Sequence, residues 1–448
     1  MAFLKKYSNL LLVFVSILLY FFIGYFLVRT NFSQLVFLWF SIFTCAYFLW
    51  KNNQDNFSFL AGISLLFRLV FLFSIPNLSQ DFYRFIWDGR MIFEGFNPYL
   101  SLPETFIEQR NYPVNQAVEL YNGMGEMNGS HYTNYPPINQ LCFLIAALFA
   151  NKSILGSVVV MRTLIILADI GILYFGKKLL EKLQLPVQNI FLYILNPFVI
   201  IELTGNLHFE PVMLFFLVWS LYLLHQRKWI FAAILLACSV SVKLIPLLFL
   251  PLFFQWFVKR DKKLFLKVFL QLTSFYIIVL STVILLFLPF FSSTLIDNYS
   301  NSVGLWFRNF EFNASFYYLA REIGYLFRGY NEIAVIGKVM PVLTIIFLLI
   351  LTFFRKNILF KNLITAMLFG LSFYYFTTTT MHPWYIATLL ILAVFTKYRF
   401  PVIWSVVIIL SYQAYANTPW KENLWFVALE YLIVYCFLGY ELLQPKKD

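Results

Sequence analysis

At 448 residues, with 61% hydrophobic and only 12% charged side chains, the chain is too apolar for a soluble protein, which would carry about 25% charge. Its net charge of +12 is spread in short clusters between apolar runs. That pattern excludes a nucleic-acid partner, which would need a basic face, and points to the inner loops of a protein in a lipid bilayer.

A spanning helix needs about 20 apolar residues, and runs occur at about 9–28, 34–50, 58–76, 138–150, 155–176, 188–204, 208–225, 229–257, 264–290, 336–354, 360–378, 383–396, 399–416 and 422–441. The expected fold is therefore all-α, a single polytopic bundle over 1–448 with about 13–14 spans. The first run follows Lys5-Lys6 and lacks a small-residue cleavage site, so it reads as a retained span. The run at 229–257 is interrupted by Lys243 and Pro246 and reads as a broken pair. The basic clusters, among them Lys177-Lys178, Arg227-Lys228 and Arg355-Lys356, set the cytoplasmic side. On that path 138–150 does not cross fully, and two long loops, 77–137 and 291–335, lie outside, the first with interfacial helices. Cys45, Cys142, Cys238 and Cys436 fall inside apolar runs without paired spacing, so neither a disulfide framework nor a zinc site is expected.

The densest polar chemistry is Ser79-Gln80-Asp81-Phe82-Tyr83-Arg84-Phe85-Ile86-Trp87-Asp88-Gly89-Arg90. Charges beside a span are costly and are functional candidates by default. On a helix, Asp81, Arg84 and Asp88 share one face. Arg84 can pair with either acid, and a pair with Asp88 would leave Asp81 free as a general base toward a sugar hydroxyl. Lys243 interrupts an apolar run, and with Arg84, Arg90, Arg308 and Arg321 it is a candidate for an anionic lipid phosphate. His208 and Glu210 sit at one outer helix start and His382 at another, where helix N-termini add donors for an anion. Glu210 reads equally as a first-turn helix acid, and His131 as part of an acceptor entrance. Trp87, Tyr99, Trp306, Trp384 and Tyr385 are placed to stack on sugar or prenyl units.

Several short motifs, in order along the chain, carry a resemblance. Ser79 to Arg84, Trp87 to Arg90 and Gly95-Phe96-Asn97-Pro98-Tyr99 are followed by Tyr135-Pro136-Pro137, Arg162 with Asp169, Asn196-Pro197, Gly205 to Glu210, Lys243 with Pro246, and His382-Pro383-Trp384-Tyr385. The set resembles the GT-C superfamily of integral-membrane glycosyltransferases. Its nearest likeness is to the polyprenol-phosphate-mannose-dependent mannosyltransferases of the phosphatidylinositol-mannoside type. The resemblance spans about residues 60–390 and implies a GT-C fold with Asp81 as the catalytic base. It further implies inverting transfer of a hexose, mannose in this type, from a polyprenyl-phosphate sugar to a glycolipid or glycan hydroxyl. The substrate contacts expected are Arg84, Asp88, Arg90, Tyr135, His208, Glu210, Lys243, His382, Trp384 and Tyr385. Two apolar runs precede 58–76 where such enzymes usually carry one, and the additional run reads as peripheral. Glu210 stands where an aspartate is more usual.

No nucleotide-binding loop occurs, in keeping with a lipid-linked donor that is itself a substrate, so no cofactor is expected. The first outer loop holds no D-x-D pair, so a divalent metal is not indicated. The expected setting is a bacterial plasma membrane with the site on the extracytoplasmic side. The rival is a transporter or flippase of lipid-linked sugars; the absence of an internal repeat and the gathering of polar groups at one face favour the enzyme.

Overall fold

The computed structural model describes residues 2–258, 265–308 and 310–444, without the side chains of 2–6 and 305–308. Among the described residues the chain is helical, with no β-strand and one isolated bridge, Phe312 to Thr380. The elements are α1 (Ala2–Tyr25), α2 (Phe32–Asn52), α3 (Phe57–Val70), α4 (Asp81–Phe93), α5 (Pro103–Glu108), α6 (Ala117–Gly129), α7 (Pro137–Ala150) and α8 (Ile154–Lys182). After a short helix, α9 (Phe191–Ile194), and a π-helix (Val199–Gly205) come α10 (Glu210–His225), α11 (Trp229–Val240), α12 (Phe253–Val258), α13 (Phe265–Phe287), α14 (Leu295–Arg308) and α15 (Phe316–Arg328). The last part holds α16 (Ile333–Phe353), α17 (Phe360–Thr377), α18 (Ile386–Val394), α19 (Phe400–Val407) and α20 (Leu424–Leu443).

This is a multi-pass membrane protein. Six described helices are long and apolar enough to cross a bilayer, including Tyr7–Tyr25, Ile154–Lys182 and Phe265–Phe290. The expected apolar runs are all helical, but several are shorter than read. α3 and α7 have 14 residues each, about 21 Å of helix against about 30 Å of hydrocarbon. α3 ends early, where the Phe71 N–H turns back to the Arg68 carbonyl; α7 matches the short run expected at 138–150, starting at Pro137 where the Ser241 carbonyl receives the Ile138 N–H at 2.9 Å. The 188–204 run is a bent pair, turning by 58° between Val187–Ile194 and Val199–Gly205. The 229–257 run breaks as expected, α11 ending at Val240 and α12 starting at Phe253 with a 3₁₀ turn between.

Several charged and amide side chains inside the bundle are tied to partners, as low dielectric favours. Asp169 of α8 pairs with Arg68 of α3 at 2.8 Å. Arg162 instead donates to the carbonyls of Leu72, Thr204 and Gly205 at 2.8–3.0 Å. It thereby clamps the end of the π-helix, whose last carbonyls have no regular helical partner, to the segment after α3. Asn206 continues the tie, its Oδ1 accepting from Leu78 N–H at 2.9 Å. Asn77 caps α1, donating to the Ile23 and Leu27 carbonyls at 2.7 and 2.8 Å. The ends of α1, α3 and the π-helix are thus gathered just before Asp81.

Candidate active site

Helix α4 begins at Asp81 and is buried along almost its whole length, packed against α6 and α7. Gly89 permits the α7 contact: a Cβ there would lie 2.2 Å from the Phe143 carbonyl oxygen. Arg84 Nε and Asp88 Oδ1 meet at 2.8 Å, with side chains 3% and 0% exposed. The second Asp88 oxygen accepts from Gln140 at 3.1 Å, and the Arg84 guanidinium also holds the carbonyls of Asn128 and His131. Arg84 is therefore committed to Asp88 and to the α6 turn.

Asp81 is left over. Its closest side-chain partner is Asn128 Nδ2 at 3.4 Å, and among the described residues no cation lies within ion-pair distance of it. It lines a cavity of about 520 Å³, within the ~300–1,000 Å³ range of small-molecule sites. Its carboxyl is held above the ordinary carboxylate range by burial, with Lys243 opposing most strongly among nearby charges. At the first turn of α4 it also faces the positive end of a helix, which favours its charged form.

The opposite wall comes from far along the chain. Trp384 lies between His208, 3.8 Å away at 19°, and His382, 4.5 Å away at 6°. Phe312 extends the stack beyond His382 at 5.5 Å. Burial and the Lys243 charge push His382 down to about 3 and His208 well below its usual value, and burial beside Arg84 brings His131 to about 4. These imidazoles are neutral near pH 7 and act as hydrogen-bonding groups rather than cations. Lys243, in the break after α11, forms a short ion pair with Glu210 at the start of α10.

Residues 8–259 match the family described as alpha-(1->6)-mannopyranosyltransferase, N-terminal domain, which is more than half of the chain. The chain belongs to this mannosyltransferase family. Among curated proteins it is similar to alpha-(1->6)-mannopyranosyltransferase A of Corynebacterium glutamicum, at 23% identity over 216 residues, 46% of this chain and 41% of the relative. The match thus spans about two fifths of that relative's length. The family match takes in Asp81, Arg84, Tyr135, His208 and Lys243, whereas the wall carrying His382, Trp384 and Tyr385 lies beyond it.

Of the expected substrate contacts, Asp81, Arg84, Tyr135, His208, Lys243, His382, Trp384 and Tyr385 line the cavity together. Three do not. Asp88 is fully buried behind Arg84. Arg90 is turned away to the Asn115 carbonyl at 2.6 Å and Gln116 at 3.2 Å, tying down the loop before α6. Glu210 is buried behind Lys243. Trp384 presents an edge rather than a face, because both faces are covered by imidazoles. Trp87 and Tyr99 are core residues, Tyr99 donating to the Tyr135 carbonyl at 2.6 Å. Arg321 is paired with Glu311 at 2.7 Å and Glu322 at 3.0 Å, outside the cavity wall. The Trp306 and Arg308 side chains lie outside the described residues.

Several wall residues escaped the sequence reading. Asn139 of α7 is fully buried, and neither its Nδ2 nor its Oδ1 has a hydrogen-bond partner among the described residues. An unpaired buried amide costs about 1–3 kcal/mol, which makes Asn139 a candidate ligand contact in the cavity wall. Tyr415 comes from the 3₁₀ helix Ile408–Ala416 that follows α19, and Trp420 from the segment between it and α20. Arg29 comes from the turn after α1, between the two apolar runs that precede 58–76. The available signal was that Arg29 is a lone cation with no other charge between the first two apolar runs.

Proposed function

We propose that this chain transfers mannose from a polyprenyl-phosphate carrier to a hydroxyl of a glycolipid or glycan, with inversion, at the extracytoplasmic face of a bacterial plasma membrane. Asp81 acts as general base. The observation that carries the reading is the unpaired Asp81 carboxylate in the cavity wall, in a chain of the mannosyltransferase family, with Arg84 engaged by Asp88. The acceptor oxygen attacks the anomeric carbon while Asp81 takes its proton. The bond from that carbon to the phosphate oxygen breaks, and polyprenyl phosphate leaves with the electron pair. A phosphate leaving group needs no proton from an acid, so one carboxylate suffices. A raised carboxyl suits the role, since a base near the working pH transfers protons best. His208, His382, Asn139 and Tyr385 are the groups that would hydrogen-bond sugar hydroxyls. No cofactor takes part, and the donor and acceptor lipids are drawn from the surrounding bilayer.

The deciding experiment reconstitutes the full chain in vesicles with polyprenyl-phosphate mannose radiolabelled in the sugar. Label appearing in a new glycolipid supports the transferase. Label that crosses the bilayer while still on its carrier, with no new product, refutes it in favour of a flippase.

A further inference from the structure

Among the described residues, three basic side chains line the cavity: Arg29, Arg84 and Lys243. Two of them are already neutralised, Arg84 by Asp88 and Lys243 by Glu210. Arg29 differs. Among the described residues no carboxylate lies within 4.0 Å of it. Its guanidinium is fixed all the same, donating to the Leu78 carbonyl and to Gln80 Oε1 at 3.2 Å each and lying 4.3 Å from the centre of the Tyr415 ring. Asn77 caps the end of α1 and so pins the turn that carries it. Only two of the five N–H groups of an arginine are used in these bonds. Around it the histidines are neutral, so Arg29 is the one uncompensated positive charge in the described wall, and it sits in the field of Asp81.

We propose that Arg29 is the cation that holds the phosphate of the lipid-linked donor, while Lys243 and Arg84 serve chiefly to satisfy Glu210 and Asp88. This rests on the transferase reading above. A guanidinium offers a planar fork matched to two phosphate oxygens, and its contact over the Tyr415 ring holds it at the cavity wall. The charge balance gives the arginine work in the reaction. The donor phosphodiester carries one negative charge; once the sugar has left, the phosphate monoester carries nearly two. A preorganised cation at that phosphate is therefore bound more tightly by the product and the transition state than by the donor.

The test uses the purified full chain in lipid nanodiscs, with polyprenyl phosphate, polyprenol of the same length and inorganic phosphate as probes. Wild type is expected to bind polyprenyl phosphate at least tenfold more tightly than polyprenol, with inorganic phosphate a far weaker competitor. Arg29→Gln should erase that preference while its affinity for polyprenol stays unchanged, and Arg29→Lys should restore part of it. In turnover, Arg29→Gln should lower kcat as well as raise the donor KM. An Arg29→Gln protein that folds and keeps the full phosphate preference overturns this assignment and leaves the donor reading intact. Should Arg29→Gln not fold, Arg29→Lys decides: partial loss of preference supports the assignment, and none overturns it. A wild type that does not distinguish polyprenyl phosphate from polyprenol overturns the donor reading and the assignment together. Inorganic phosphate competing as well as the lipid overturns the lipid source.

Discussion

The two acids of α4, about two turns apart on one helical face, are expected to fail in opposite ways when each is replaced by its amide. Asp81→Asn removes a carboxylate whose nearest side-chain contact is a 3.4 Å approach from Asn128. Stability should change by less than about 1 kcal/mol, the scale of one ordinary hydrogen bond. Loss of a general base typically costs about 10²- to 10⁴-fold, or about 3–5 kcal/mol on the barrier at 1.36 kcal/mol per decade. Asp88→Asn is different. It leaves the Arg84 guanidinium, 3% exposed, with no carboxylate at 2.8 Å. Removing one partner of a buried pair costs about 3–5 kcal/mol of stability. The assay measures melting of each purified variant in detergent and, on the folded fraction, mannosyl transfer from labelled carrier. Asp81→Asn should melt with wild type and fail to transfer; Asp88→Asn should melt far earlier yet keep transfer per folded molecule within about tenfold. The reasoning is refuted if Asp81→Asn transfers at a near-normal rate, or if Asp88→Asn melts normally and is inactive.

Other outcomes follow from the same geometry. The base form of Asp81 is lost as pH falls through its pKa, and burial raises that pKa, so the acid limb of kcat/KM should lie above the ~4 of a free carboxylate. Lys243 is the strongest nearby charge holding it down, so Lys243→Gln should move the limb further up, read from a pH–rate profile. Gly89→Ala places a Cβ 2.2 Å from the Phe143 carbonyl and should cost about 3 kcal/mol or more by prying α4 from α7, seen as a fall in melting temperature. Among the described residues no three His, Cys, Asp or Glu side chains converge as metal ligands, and transfer is expected to persist after EDTA treatment, measured with the same labelled donor.

Much of this site was legible in the sequence because its motifs pack charge where hydrocarbon is expected. Asp81, Lys243 and the His382 segment stood out for that reason, and the spacing of Arg84 and Asp88 on one helical face anticipated their pair. What sequence could not show was direction. Arg90 is six residues beyond Arg84, about 120° further around the helix, and it reaches the Asn115 carbonyl instead of the cavity. Glu210 and Lys243 are 33 residues apart, and nothing in periodicity tells that each uses up the other's charge. Arg162 and Asp169 are seven residues apart on α8, yet each finds its partner on a different element. Some helix lengths were overestimated for a related reason: hydropathy counts apolar residues, whereas α3 stops at Val70 and the pair at 188–204 bends by 58°.

The cavity is assembled from both ends of the chain, with Arg29 and Asp81 early and Trp384, Tyr415 and Trp420 late. A ribosome feeding this polypeptide into a membrane delivers the base more than 300 residues before the ring that backs Arg29. At the roughly 5–20 residues per second of synthesis, the charged half waits for tens of seconds with no wall opposite it. Partly inserted chains would therefore lack a complete cavity, and activity itself would report that insertion is finished. Two fragments divided near 259–264, expressed together, would regain function only by docking across that same cavity.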